Sequence, residues 1–163
     1  MSKPARNTSD VARITEEYYD SDAADRFYFN VWGGEDIHIG LYDETDDIRT
    51  ASRRTVERMA KMAEPIGPET RVLDIGAGYG GSARYLAKRH GCSVTCLNIS
   101  ETQNATNRRL NAEQGLHRLI EIKYGNFEEL PENDGAYDLV WSQDAILHSD
   151  RKQVVMNEVF RVL

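Results

Sequence analysis

Asp74-Ile75-Gly76-Ala77-Gly78-Tyr79-Gly80-Gly81 is the stretch of this chain whose residue types and spacing carry the most chemistry. Gly76, Gly78 and Gly81 satisfy G-x-G-x-x-G, a pattern in which missing side chains let a ligand approach the backbone. It is informative only where a strand runs into a helix. That context is present. Arg71-Val72-Leu73-Asp74-Ile75 is a short apolar run stopped by glycine, and Ala83, Leu86 and Ala87 follow at helical spacing before Gly91. Asp74 discriminates between ligands. A carboxylate just ahead of the first glycine would repel the pyrophosphate of a dinucleotide, whereas the sulfonium and α-ammonium of S-adenosylmethionine would be drawn to it. The residues therefore predict an S-adenosylmethionine site at Asp74, Gly76, Ala77 and Gly78, against the plainer alternative of a glycine-rich structural turn.

A second cluster, Val140-Trp141-Ser142-Gln143-Asp144-Ala145-Ile146-Leu147-His148, leaves an apolar strand at its carboxyl end, where α/β folds bind ligands. His148 has the side chain whose ordinary pKa, about 6.5, suits proton removal near neutrality. A capping or packing histidine is the alternative. Gln143 and Asp144 beside it are polar where the strand is apolar, which favours the functional reading.

These residues need a scaffold, and alternating strand and helix patterns supply one. Strands are predicted over Cys92 to Ile99, Leu119 to Tyr124 and Tyr137 to Ser142, besides the one before the glycines. Helices are predicted over Ser82 to His90, over Glu101 to Gln114 closed by Gly115, and from Ser149 through Val154, Val155, Val159 and Phe160 to the last residue. Upstream, Ile48, Ala51, Thr55, Val56, Met59, Met62 and Ala63 mark an amphipathic helix that should pack on the sheet. Tyr18 to Tyr42 shows no clear period and suits a segment folded over a pocket, and residues 1 to about 12 are expected to fray. The fold class is thus α/β, a doubly wound parallel sheet with its C-terminal strands missing. Residues 1–69 form a lid and helical segment and 70–163 an incomplete ligand-binding core. An open sheet edge and an unfinished last helix would favour dimerisation.

Composition bounds the partners. The 163 residues carry 20 Lys and Arg against 27 Asp and Glu, a net charge of -7, which gives no bulk attraction to nucleic acid or anionic lipid. No apolar run reaches the roughly 18 residues of a membrane span and the N-terminus lacks a signal-peptide core, so a cytoplasmic location is expected. Cys92 and Cys96 have neither metal nor disulfide spacing and read as buried thiols, and no metal is expected.

Val72-Leu73-Asp74-Ile75-Gly76-Ala77-Gly78 resembles the first motif of the class I S-adenosylmethionine-dependent methyltransferases. The resemblance implies a Rossmann-like fold and a cofactor gripped at the ends of the second and third strands. Where that family usually has acids, this chain has Asn98, followed by Ile99, and Asn126, followed by Phe127. An Asn offers acceptor and donors to a ribose or an adenine amino group, or neither Asn touches the cofactor. Phe127 covers the adenine or belongs to the core. Gln143 completes the implied cofactor set.

Tyr18-Tyr19-Asp20, Tyr28 to Tyr42, Leu97-Asn98-Ile99-Ser100 and Ser142 to His148 look like the sarcosine and dimethylglycine N-methyltransferases that make glycine betaine. More distantly they are similar to phosphoethanolamine N-methyltransferases, whose tyrosine and histidine form a catalytic pair. By position these correspond to Tyr28 and His148. Tyr19, Trp32 and Asp144 are the implied contacts to a small-molecule amine, with Trp32 either a cation-π face or lid core. An Arg for the substrate carboxylate would lie beyond Leu163. Methylation of another small acceptor, such as phosphoethanolamine or a natural-product hydroxyl, and a non-catalytic cofactor-binding fragment are the competing readings.

Overall fold

A computed structural model of the chain describes residues 10–32 and 34–163. Four parallel strands form its sheet: β1 (Arg71–Ile75), β2 (Ser93–Asn98), β3 (Ile120–Tyr124) and β4 (Leu139–Trp141), in the order β3-β2-β1-β4. The order reverses beside β1, and the glycine segment begins where β1 ends. That is the switch point at which doubly wound sheets bind ligands. Register pairs Asp74 with Cys96 on β2 and with Trp141 on β4.

Helices cover both faces. Val56 and Ala60 of α3 (Ile48–Ala63) and Ala83, Leu86 and Ala87 of α4 (Gly81–His90) share one buried cluster with Val72, Val94 and Cys96. Val155 and Val162 of α6 (Lys152–Val162) pack on the opposite face with Leu73, Ile75 and Leu97. Burial on two faces explains why β1 reads as an unbroken apolar run instead of alternating. Both cysteines are buried, free thiols.

α5 (Glu101–Glu113) is capped by Ser100, whose hydroxyl accepts the Gln103 amide at 3.1 Å, and beside Leu110 the residues it buries are polar: Gln103, Asn104, Asn107 and Asn111.

Ahead of α3 the aperiodic segment from Tyr18 to Tyr42 proves helical as far as Trp32, with turns and loop over 34–42. α1 (Asp10–Tyr19) and α2 (Asp22–Phe27) lead into a π-helical turn, Tyr28–Trp32. Each of α1 and α2 buries an alanine, Ala12 and Ala24, while Ile14, Tyr18 and Phe27 stay exposed; Val11, Ile14 and Tyr18 do fall at helical spacing along α1, whereas the six residues of α2 are too few to show a stripe. Fraying was expected to residue 12, yet residues 10–12 begin α1; residues 1–9 lie outside those described.

Two further boundaries and one burial pattern differ from expectation. β4 shortens to Leu139–Trp141 because Asp138 turns its carboxylate back onto Arg71, accepting the Arg71 amide at 2.8 Å and its Nε at 3.0 Å. α6 begins at Lys152, since Ile146–His148 make a separate 3-10 turn and the Ser149 hydroxyl accepts the Arg151 amide at 2.9 Å. Met62 and Phe160 point to solvent at 75% and 78% exposure, and Ser52 and Ala60 take up the burial in α3 instead.

Candidate functional site

At the carboxyl ends of β1, β2 and β4 a cavity encloses about 800 Å³ of non-atom space, part of it open to solvent. Its floor is Gly76, Ala77 and Gly78. Gly76 (φ +77°) and Gly78 (φ +55°) stand in the left-handed region, and a Cβ on Gly76 would run into the Cβ of Ala145. Gly76 and Ala77 both donate their amides to the Leu97 carbonyl, at 2.8 and 3.2 Å, which ties the turn to the end of β2.

Asn98, Ile99, Asn126, Phe127, Gln143, Asp144, Tyr19 and His148 also line this cavity, so residues far apart in the chain meet there. Asn98 donates to Gln103 Oε1 at 3.0 Å, and Gln103 Nε2 is buried with no hydrogen-bond partner among the described residues. Asn126 lines the cavity, but its side-chain carbonyl accepts the Glu128 amide at 2.9 Å and is held by its own turn, not presented to an adenine. Gln103 went unnoticed in the sequence, although Ser100-x-x-Gln103 is a capping signature that fixes where α5 starts.

Asp74 departs from expectation. It is 3% exposed, is absent from the cavity lining, and alternates onto the face of β1 that carries Val72. Its Oδ2 has no partner among the described residues, and burial pushes its carboxyl up to about 7. Direct anchoring by Asp74 therefore gives way to a buried carboxylate beneath the glycine turn.

The tyrosine facing His148 is Tyr19, not Tyr28. Tyr19 Oη lies 3.1 Å from His148 Nε2, with the rings edge-on at 5.6 Å. Tyr28 stands one ring away, 5.6 Å from Tyr19 and 3.3 Å by hydroxyl from Tyr18, and does not line the cavity. Burial raises the Tyr19 phenol and lowers the His148 imidazole, so both are neutral at pH 7. Trp32 likewise sits outside: its Nε1 donates to the His38 carbonyl at 3.3 Å and its ring packs on Phe27 and Tyr28, which makes it lid core and not a cage wall.

Polar ties hold the N-terminal segment over the cavity. The Asp20 carboxylate accepts the Ser100 hydroxyl at 2.6 Å, Tyr79 donates to Asp25 at 2.8 Å, Arg53 pairs with Asp36 at 2.7 Å, and Arg84 pairs with Glu35 at 2.7 Å. Arg84 is 1% exposed and also donates to Asn107, Asn111 and the Tyr79 carbonyl. For Glu35 burial would raise the carboxyl, but the Arg84 charge and hydrogen bond overcome it and hold it below its usual range. Among the described residues no His, Cys, Asp or Glu cluster suits a metal, and no helix is long and apolar enough to cross a membrane.

The strand order, the glycine turn and the cavity at the sheet's carboxyl edge define the class I methyltransferase fold. Residues 73–163 match the family described as a methyltransferase domain, and the chain belongs to that family. It is 55% identical to the sarcosine/dimethylglycine N-methyltransferase of Halorhodospira halochloris over 97% of this chain and 57% of that protein. It is 56% identical to the glycine/sarcosine/dimethylglycine N-methyltransferase of Actinopolyspora halophila over 95% of this chain and 27% of that protein. A crystal structure of a putative sarcosine dimethylglycine methyltransferase from Galdieria sulphuraria superposes with a TM-score of 0.82 at 51% identity, covering 90% of this chain and 56% of that one. The chain thus spans about half, or less, of the length of these relatives.

Proposed function

We propose that this chain supplies the methyl-donor site and part of the acceptor pocket of an S-adenosylmethionine-dependent N-methyltransferase acting on sarcosine or dimethylglycine. The observation that carries the reading is the Tyr19–His148 pair in the same cavity as the glycine turn, within a sequence 55% identical to an enzyme of that name. The cavity fits the donor chemically. Among the described residues Gln103 Nε2 and Gln143 Nε2 are buried donors with no hydrogen-bond partner, and the cavity wall carries the Asp144 carboxylate and no Lys or Arg. Gly76, Ala77, Gly78, Asn98, Ile99, Phe127, Gln103 and Gln143 would hold the group; Asn126 would contribute its place in the wall. When bound, S-adenosylmethionine supplies an electrophilic methyl on a sulfonium.

The residues of the chain would prepare the nucleophile. An amine attacks only through a free lone pair, so a protonated substrate must first lose its proton. His148 accepts it, and Tyr19, which keeps its own proton, orients the imidazole. Asp144 places a carboxylate at the same wall, where it favours the ammonium on arrival, and its Oδ2 also accepts the Ile39 amide at 2.8 Å. The segment ahead of β1 acts as the lid that excludes water.

The test is transfer of labelled methyl from S-adenosylmethionine to sarcosine, dimethylglycine and phosphoethanolamine. Label is expected in dimethylglycine and glycine betaine. Label in the phosphobase alone would replace the acceptor, and donor binding without transfer to any amine would remove it.

Asp74 adds a pH dependence. Its folded pKa of about 7 lies above the ordinary 3.8, so between those values the ligand-free fold binds the extra proton, and this group's contribution to stability is lost as pH rises through about 7. A cationic ligand nearby favours the ionised form, so the sign reverses for binding. Affinity for S-adenosylmethionine is expected to rise from about pH 5 to about pH 7 and then level off. Asp36, pushed up to about 6 by burial, titrates in the same window. Calorimetry on Asp74→Asn separates the two, because the part of the slope due to Asp74 disappears in that variant.

A further inference from the structure

His38 is a buried histidine that the methyl-transfer reading leaves without a task. It is 8% exposed, lines the cavity, and burial pulls its pKa down to about 4, so its imidazole is neutral at physiological pH. Its Nε2 lies 3.2 Å from the Ser82 hydroxyl, and that hydroxyl lies 3.3 Å from Gln143 Oε1. Gln143 Oε1 can only accept, so the Ser82 proton points to it and the Ser82 oxygen is left to accept from His38 Nε2–H. The relay fixes the tautomer, and His38 Nδ1 must then carry a lone pair. That nitrogen has no partner among the described residues, and neither has Gln143 Nε2, an obligatory donor.

The Ser82 hydroxyl therefore joins a bare acceptor to a bare donor, both on side chains lining one cavity beside the glycine turn. No Lys or Arg lines that cavity among the described residues, whereas the carboxylate of Asp144 does. Leaving a buried polar atom unpaired is unfavourable, so two held in place by a hydrogen-bonded relay suit a ligand carrying the complementary pair. An α-amino acid head is such a ligand, with an ammonium that donates and a carboxylate that accepts. We propose that His38, Ser82 and Gln143 form a clamp for an α-amino-acid head, in which His38 Nδ1 accepts from the ammonium and Gln143 Nε2 donates to the carboxylate. This rests on the methyl-transfer reading, under which the head belongs either to the methionine part of the donor or to the glycine-derived acceptor.

Two nucleosides separate the contributions: S-adenosylhomocysteine, which carries the head, and 5′-methylthioadenosine, which lacks it. Titration calorimetry on the full chain is expected to show His38→Ala weakening S-adenosylhomocysteine roughly 10- to 100-fold, the loss of one charge-assisted hydrogen bond, with 5′-methylthioadenosine unchanged. His38→Asn places an amide oxygen near the position of Nδ1 and is expected to recover part of the loss. If the head is the acceptor's, S-adenosylhomocysteine is unaffected and the KM for dimethylglycine rises by a similar factor without a matching fall in kcat. Nitrogen NMR of His38 is expected to show the neutral, Nε2-protonated tautomer from about pH 5 to about pH 8. Equal weakening of both nucleosides, no change in either nucleoside or KM, or an Nδ1-protonated ring overturns the clamp. Failure of the unmodified chain to bind either nucleoside overturns the methyl-donor reading and the clamp with it; normal binding that ignores His38 overturns the clamp alone.

Discussion

Alanine at His148 is expected to lower methyl transfer to dimethylglycine about 10²- to 10³-fold, in the range measured for loss of a general base, while leaving affinity for S-adenosylhomocysteine nearly unchanged. The split follows from position. His148 touches Tyr19 across the cavity, and its own backbone is set by the 3-10 turn after Ala145, so removing the imidazole leaves the glycine floor in place. Tyr19→Phe keeps the edge-on ring and removes the 3.1 Å hydroxyl contact, so a smaller loss of about 10-fold is expected. Tyr28→Phe removes a hydroxyl that meets Tyr18 at 3.3 Å and also Tyr19 but not His148, and is expected to lower kcat less than Tyr19→Phe does. Burial holds the His148 pKa below 6.5, so turnover is expected to fall with acid only below neutrality, as the imidazole takes up a proton and can accept no other. Single-turnover rates and S-adenosylhomocysteine titrations on the three variants check this. Equal losses from Tyr19→Phe and Tyr28→Phe would remove the special place of the Tyr19–His148 contact.

The choice between those tyrosines marks where sequence reading gives out. The glycine turn and its strand were legible because two local signals coincide there, an apolar run and glycines whose conformation disfavours side chains. Gly76, Gly78, Asn98 and His148 all line one cavity because β1, β2 and β4 lie side by side, and the parallel order follows from strand and helix alternation. Tyr19 and Tyr28 have no such local signal. Both sit in an aromatic stretch, and which ring faces His148 depends on how α1 lies over the 3-10 turn, a tertiary fact. Asp74 shows a different gap: charge complementarity was argued from residue type, but strand alternation turns the side chain to the α3 and α4 face, where it borders Cys96 in register.

Arg84→Met is expected to destabilise the fold by about 3–5 kcal/mol, the usual result of removing one partner from a buried ionic network. In the sequence Arg84 belongs to a helix rich in Lys and Arg and looks solvated, yet it is among the largest fully buried side chains. The reason lies on α5, whose Asn107 and Asn111 stand one turn apart and each accept from Arg84 Nη1 at 2.9 Å. Nη2 donates to the Tyr79 carbonyl at 2.6 Å and Nε to Glu35 at 2.7 Å, so one guanidinium joins the glycine turn, α5 and the lid. Methionine fills much of the volume but strands three acceptors in a buried site. Lysine, a point charge without the fork, is expected to recover only part of the loss. Glu35→Gln removes a partner whose side chain is 32% exposed, and the cost there is expected to be about 1 kcal/mol, because water can replace the lost contact. Urea midpoints for the three variants decide the matter. A loss for Arg84→Met no larger than that for Glu35→Gln would mean that the Asn contacts on α5 contribute nothing. A large loss confined to Arg84 variants would place the anchor of the lid in the core, under the glycine turn, and not in the exposed ion pairs at its rim.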